Sequence, residues 1–497
     1  MIPGCEEILK LADKYDVIPV SHEIYADVIT PIGLLKKIAG TSSRYFLLES
    51  VEGGEKWGRY SFLGFDPVMR VTLKKGVMRI RQIMENGEVK TETTETSKPY
   101  EVLRRILAGY RSPVFQGQPP FTGGFVGYFS YSMISYAEPK LKIRRGEEND
   151  LDLMLFDRVI AYDHLRQKIV IVANMKTGRG RNMEYLMEEY ARASQAIQSV
   201  ISLIRRETRK EEPYSQPPVQ FTCSVSKEEY CRQVEQTKAY IREGDIFQAV
   251  ISRQFKSPYK GSLLNAYRVL RTTNPSPYMV YMSIDGDEIM STSPETLVRL
   301  KEGRLTTFPV AGSRPRGEDE EEDKRLEWEL LADEKELSEH NMLVDLGRND
   351  IGRIAEFGSV EVTEYKMIHK YSKIMHICSQ VEGNIKPGLD GCSAVEALLP
   401  AGTLSGAPKI RACEIIEKLE SVPRGIYGGA LGYLDFTGNL DTCIAIRMAV
   451  KQAGKVTVQA GGGIVADSVP ELEYEESANK AKAVIQAILQ AGEVDDR

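Results

Sequence analysis

Residues 430–463, ALGYLDFTGNLDTCIAIRMAVKQAGKVTVQAGGG, decide the fold class. Two apolar runs, 430–436 and 440–450, flank Thr437-Gly438-Asn439, a turn of the type that joins antiparallel strands. A third run, 455–460, gives another strand and stops at Gly461, Gly462 and Gly463. Earlier in the chain, 45–48 and 169–172 also read as strands, whereas 182–204 has helical spacing. Ser226 with Glu229 forms a capping box, after which Tyr230, Val234, Thr237 and Ile241 recur on one helix face up to Gly244. Residues 470–489 read as a closing helix. Many short strands joined by turns, with several helices between them, predict an α+β protein whose sheet is largely antiparallel.

Working outward, the least globular stretch is 205–220, RRETRKEEPYSQPPVQ, in which charge gives way to three prolines. It divides a first module, 1–204, from a second, 221–497. A chain of 497 residues has room for two to four domains at roughly 150 residues each. Its 71 acidic and 65 basic side chains leave a net charge of −6 without a basic arm, so capture of nucleic acid is not expected. No apolar run reaches the roughly 18 residues that a membrane span needs. The N-terminus, MIPGCEEILKLADKYD, has no secretory core. Seven cysteines at 5, 223, 231, 378, 392, 413 and 443 form no CxxC pair. A cytoplasmic protein with reduced thiols is expected. The acidic run 318–323 reads as a solvated face.

Several groups of residues carry chemistry. Glu336 and Glu339 are three apart and share a helix face, as do Glu473, Glu476 and Lys480 near the end of the chain. Two such carboxylate pairs, if they met, would offer the hard oxygen ligands that Mg²⁺ prefers, with Lys480 near an anionic substrate. Either pair alone more often decorates an exposed helix face, and spacing does not show that they meet. LPAGTLSGAPK at 399–409 is too irregular for helix or strand and lacks the spacing of a phosphate loop. His376 lies in an apolar run, where an imidazole suits proton transfer near neutral pH. Arg447, inside CIAIRMAV, is a cation in an apolar strand, so an acid or a carboxylate ligand is implied.

Taken in order, LLES at 47–50, GRYSFLG at 58–64, GDIFQAVISR at 244–253, NPSPYMVY at 274–281 and STSPETLV at 291–298 form a recognisable series. It continues with FPVAGSRPRG at 308–317, DEKELSEHNMLVDLGRND at 333–350, LPAGTLSGAPK, RGIYGGALGYLDF at 424–436 and QAGGGIVADSVPELEYEE at 459–476. This series resembles the chorismate-utilising enzymes, and within them most closely the anthranilate synthase large subunits.

The resemblance implies a fold, a reaction and a set of residues. Two large antiparallel sheets would stack centrally with helices outside. Residues 1–204 would be regulatory and 221–497 would bind chorismate. The reaction would be a lyase step: ammonia adds at C2 of chorismate as the 4-hydroxyl leaves, and pyruvate then departs to leave anthranilate, the first committed step of tryptophan biosynthesis. Mg²⁺ would be held by Glu339 and Glu476, with Glu336 and Glu473 behind them through water. Tyr427 and Arg447 would hold the enolpyruvyl carboxylate, while Gly312, Ser313, Gly461, Gly462, Gly463 and Lys480 line the ring and its carboxylate. Ser313 stands where the family more often has threonine, which keeps the hydroxyl. Glu295 would protonate the departing hydroxyl, His376 would take the C2 proton, and Thr403 would position the ring. The partner implied is a separate glutamine amidotransferase subunit supplying ammonia. Leu48, Glu49 and Ser50 with Pro277, Tyr278 and Met279 would bind L-tryptophan as inhibitor.

Two positions separate sister activities. Isochorismate and salicylate synthases place a lysine base where Gln248 stands, and an amide cannot serve as that base. Aminodeoxychorismate synthases carry a lysine nucleophile where this chain has Val310-Ala311-Gly312-Ser313, and alanine forms no adduct. A binding or scaffold protein without catalysis is the alternative from another class; the presence of both glutamate pairs, His376, Tyr427 and Arg447 argues against it.

Overall fold

The computed structural model describes residues 2–50, 58–84, 87–178, 182–207, 219–370 and 374–494. Much of the expected linker, 208–218, falls outside them. The strands assemble into two twelve-stranded sheets, antiparallel throughout. The first runs from Val17–Tyr25 at one edge through Arg44–Glu49, Tyr278–Ile284, Asp287–Ser293, Met448–Gln452 and Lys455–Ile464 to Gln248–Pro258 and Thr222–Cys223. The second runs from Val310–Pro315 through Ile374–Asn384, Thr296–Lys301, Leu440–Ile444, Ala430–Asp435 and Gly124–Phe129 to Val89–Glu95. Each sheet mixes strands from before and after residue 205.

Apolar side chains from both sheets meet in a central layer that includes Phe46, Phe62, Val280, Val126, Met154 and Leu431. Burying side chains of this size contributes about 1.5–3 kcal/mol each, so the layer is a main source of stability. On the outer face of the first sheet pack the helices Pro31–Ala39, Met183–Arg205, Leu264–Thr273 and Pro470–Gln490; on that of the second, Pro99–Leu107, Glu334–Gly352 and Gly391–Leu398. The α+β architecture with central stacked sheets is therefore as expected. Among the described residues, no helix is long and apolar enough to cross a membrane.

Local expectations are met unevenly. The 437–439 turn does join Ala430–Asp435 to Leu440–Ile444, with the Asp435 carboxylate accepting from the Thr437 and Asn439 amides at 2.8 and 2.7 Å. Ser226 caps the helix Lys227–Arg242 by accepting from the Glu229 amide at 3.2 Å, but Glu229 turns outward to Arg232, so only half of the capping box forms. The acidic run is not wholly solvated. Asp323 is buried, accepts from the Gly317 amide at 2.8 Å and pairs with Arg316 at 2.6 Å, which holds its carboxyl well below the usual range.

Two corrections bear directly on the site. The run 440–450 is not one strand: Leu440–Ile444 belongs to the second sheet and Met448–Gln452 to the first, so the chain changes sheets across 445–447. Arg447 sits in that crossing with φ +48°, not inside a strand. The triple glycine does not follow its strand but completes it, Gly461, Gly462 and Gly463 pairing with Ser252, Ile251 and Val250. Side chains would not fit there: a Cβ on Gly461 would lie 2.5 Å from the Ile251 carbonyl oxygen, and one on Gly463 would lie 2.3 Å from Gln248 Nε2.

Candidate active site

A second crossing lies beside the first. Asp287–Ser293 belongs to the first sheet and Thr296–Lys301 to the second, so Pro294 and Glu295 span the gap between them. Backbone bonds tie the two crossings together: the Ile444 amide donates to the Glu295 carbonyl at 3.0 Å, and the Thr292 amide to the Arg447 carbonyl at 3.1 Å. Glu295 and Arg447 thereby enter one cavity of about 550 Å³. Helix Glu334–Gly352 adds Glu336 and Glu339 to its wall, helix Pro470–Gln490 adds Glu476 and Lys480, and strand Ile374–Asn384 adds His376. Thr403, Tyr427, Gly312, Ser313, Gly461 and Gly463 line it as well.

Each wall has a local cause. Asp333 caps the Glu334 helix, accepting from the Lys335 and Glu336 amides and from Arg314 at 2.8 Å; this fixes the turn that carries Glu336 and Glu339. Pro470 opens the last helix at a position where a missing N–H costs nothing. Gly312, at φ +73°, forms a bulge in strand Val310–Pro315 that turns its carbonyl to His376 Nδ1, 3.1 Å away. A carbonyl can only accept, so Nδ1 carries the proton and the lone pair lies on Nε2. Burial lowers the pKa of this imidazole, keeping it neutral.

The electrostatics divide the cavity. Burial pushes the Glu295 carboxyl up to about 7, with Thr403 offsetting part of the rise. Thr403 Oγ1 is itself buried without a hydrogen-bond partner of ordinary geometry. Arg447 is pulled down from its ordinary value by burial, partly offset by Tyr427 and Glu476, and no ion pair holds it among the described residues. Burial also raises Tyr427 to about 12.

The two glutamate pairs do meet. Glu339 keeps solvent contact yet lies deep among protein atoms, and its carboxyl is raised by burial and then by the charges of Glu336 and Glu476, with Lys480 opposing. Glu336 and Glu473 are raised in the same way, each feeling Glu476. Lys480 bonds Glu476 at 2.7 Å. Among the described residues no three His, Cys, Asp or Glu side chains converge as a ready metal shell. Mg²⁺ does not require one, because it retains water and takes one or two carboxylates plus substrate oxygens. Glu339 and Glu476 suit that demand, and behind them Glu473 Oε2 is a buried oxygen without a partner while its Oε1 accepts from Ser468 at 2.7 Å. The residues fit the ion.

Other expected residues lie outside the cavity. Gln248 is buried behind Gly463, with Oε1 unpartnered, and Gly462 backs onto Glu473. Leu48, Glu49 and Ser50 end or follow strand Arg44–Glu49, which pairs with Tyr278–Ile284 so that Glu49 faces Met279; of that group only Pro277 reaches the cavity wall. Glu49 is already engaged, accepting from Tyr267 at 2.6 Å and Arg271 at 2.7 Å.

Sequence reasoning missed Lys335, Gln459 and Asn274 on the wall, and the ion pair beneath it. Arg424 and Glu420 are both fully enclosed and 2.6 Å apart, and Arg424 also donates to the Leu404 and Val250 carbonyls. That pair anchors the loop carrying Thr403 to the strand Gln248–Pro258. The only signal for it was the arginine opening RGIYGG.

A family profile described as chorismate binding enzyme matches residues 44–486. The chain belongs to the chorismate-binding enzymes. Anthranilate synthase component 1 of Acetivibrio thermocellus is 45% identical, with 99% of each chain covered, and that of Aquifex aeolicus is 44% identical, with 97% of each covered. Among solved structures, anthranilate synthase component I from Streptococcus pneumoniae is 35% identical and superposes with a TM-score of 0.75, covering 93% of this chain and 98% of that one. The menaquinone-specific isochorismate synthase of Escherichia coli shares the fold at 17% identity and a TM-score of 0.67, covering 98% and 99%. The 550 Å³ cavity of this chorismate-binding enzyme contains most of the residues that its sequence singles out.

Proposed function

We propose that the protein is the chorismate-aminating chain of an anthranilate synthase, converting chorismate and ammonia to anthranilate and pyruvate. One observation carries the reading: a single cavity contains a carboxyl poised near 7, a neutral imidazole and a partly buried arginine without an ion pair among the described residues. They match an acid, a base and an anchor for a substrate carboxylate. The shared name of the relatives and the glutamine at 248 favour anthranilate over isochorismate.

Arg447 and Tyr427 grip the enolpyruvyl carboxylate, Lys480 and the Gly461 and Gly463 backbone flank the ring, and Thr403 orients it. Glu295 gives its proton to the departing 4-hydroxyl as ammonia adds at C2. His376 Nε2 then takes the C2 proton as pyruvate leaves. Glu339 and Glu476, backed by Glu336 and Glu473, would hold Mg²⁺, whose charge when bound offsets that of the ring carboxylate.

Because Glu295 acts in its protonated form, amination is expected at full rate below about pH 7 and falling above it, by about tenfold per unit. A pH profile of chorismate consumption at constant free ammonia checks this; a flat profile from 6 to 9 removes Glu295 as the acid.

None of the seven cysteines lies in a Gly-x-Cys-x-Gly nucleophile setting, the nearest being Cys392 in DGCSAV. Ammonia therefore comes from a separate amidotransferase subunit, in keeping with the component numbering of the relatives. The purified chain should make anthranilate from chorismate and ammonium but not from glutamine. No turnover with ammonium sinks the proposal; efficient use of glutamine by the chain alone sinks the partner.

L-tryptophan inhibits from the region where the ends of strands Arg44–Glu49 and Tyr278–Ile284 adjoin, close to the cavity through Pro277. Glu49 anchors this region to helix Leu264–Thr273, and Ser50 follows it directly at the end of the strand. Ser50→Phe should leave catalysis within about twofold while raising the inhibitory tryptophan concentration at least roughly tenfold, a coupling change of about 1.4 kcal/mol. Equal sensitivity of variant and wild type at one chorismate concentration refutes the site.

A further inference from the structure

A second chamber, of about 30 Å³, shares Glu295 and Thr403 with the main cavity and otherwise has walls of its own. One wall is a single face of helix Glu334–Gly352, where Leu343, Leu346, Gly347 and Asp350 follow at helical spacing. Its volume exceeds the roughly 10–15 Å³ that a single water requires. Water in such a space needs two or more polar partners. Thr403 Oγ1 lacks one of ordinary geometry, the Glu295 carboxyl is adjacent, and Asp350, held by Lys409 at 2.9 Å, is a second carboxylate on the wall.

The amination step produces what such a site would take. As the C2–N bond forms, the C4–O bond breaks and the Glu295 proton goes to the hydroxyl oxygen, releasing one water. Glu295 is left ionised, and the new ammonium at C2 holds one proton more than the product amine. Before another turnover the water must leave the ring and a proton must return to Glu295, while the aminated intermediate still fills the main cavity.

We propose that the chamber behind Glu295 is the water site of amination, receiving the water released at C4 and relaying the proton that restores Glu295. The proposal rests on Glu295 being the acid. Raised by burial like Glu295, Asp350 gives the relay a second group able to take a proton.

Gly347→Ala tests it. A Cβ at 347 would stand 3.3 Å from Pro309 Cγ and Thr307 Cγ2, narrowing the chamber, and alanine is the better helix former, so the fold is retained. The two stages are measured apart: chorismate consumption with ammonium, and conversion of the supplied aminated intermediate to anthranilate. Amination should slow roughly tenfold at unchanged chorismate KM, a fraction of what a general acid contributes, with a larger solvent deuterium isotope effect. Elimination should keep the wild-type rate. Wild-type amination with an unchanged isotope effect overturns the chamber, as does equal slowing of both stages, which marks general distortion. Glu295→Gln separates the two failures. If it aminates normally, the acid assignment has failed; if it is inactive while Gly347→Ala is normal, only the chamber has.

Discussion

Replacing either Glu339 or Glu476 by glutamine is expected to remove nearly all activity while leaving the fold untouched. Both side chains keep solvent contact, and the ion pair involved among the described residues, Glu476 with Lys480, is a half-exposed helix pair of the kind that contributes little. Stability should change by no more than about 0.5 kcal/mol. Burial raises the carboxyls of Glu336, Glu339 and Glu473, and the charge of Glu476 adds to each rise, an arrangement that costs free energy unless a cation occupies it. A neutral amide keeps the shape and loses the charge. Activity should fall at least roughly hundredfold, the upper end of what losing even an outer partner of a metal costs. Calorimetric titration with Mg²⁺ should show weakened binding in each variant at an unchanged melting temperature. Wild-type rates in both would place the metal elsewhere.

His376→Met should split the reaction. Methionine fills a similar volume, and the lost bond from Nδ1 to the Gly312 carbonyl costs about 1 kcal/mol of stability. Glu295 and Arg447 stand on the sheet crossings, apart from the strand that carries His376, so amination should proceed. Elimination loses its base and should slow by roughly 10²–10⁴. Chromatography of the mixture should then show the aminated intermediate accumulating while anthranilate fluorescence fails to rise. Normal anthranilate output would remove His376 from the mechanism.

How far the sequence could be read depended on what each signal reports. Ser226, Pro470 and the 437–439 turn act on backbone within a few residues of themselves, so they were legible. The run 440–450 was not: apolar periodicity reports burial, and CIAIRMAV is buried on both sides of its change of sheet, so nothing marked the break except the arginine. Asp323 was read as solvated because its partners Arg316 and Lys370 come from a turn and from a strand nearly fifty residues on. The glutamate pairs could each be placed on a helix face, yet their meeting is a fact of tertiary packing. Arg424 and Glu420, four apart on paper, gave no sign beyond the arginine itself that they lie enclosed beneath the cavity.

The two crossings at the site, like those at 66–68 and at Asp157 between the same sheets, act as pins as well as supports. A sandwich of two sheets held only by apolar contact can shear, one layer sliding over the other, because such contact has no direction. Here the chain passes from layer to layer at Pro294-Glu295 and again across 445–447, and hydrogen bonds join the passages to each other. Sliding would break those bonds and pull the acid away from the carboxylate anchor in the same movement. Chemistry and layer alignment are thus a single mechanical property of this protein. Motion that admits substrate must come from the flanking helices and loops, with the sheets as the fixed frame.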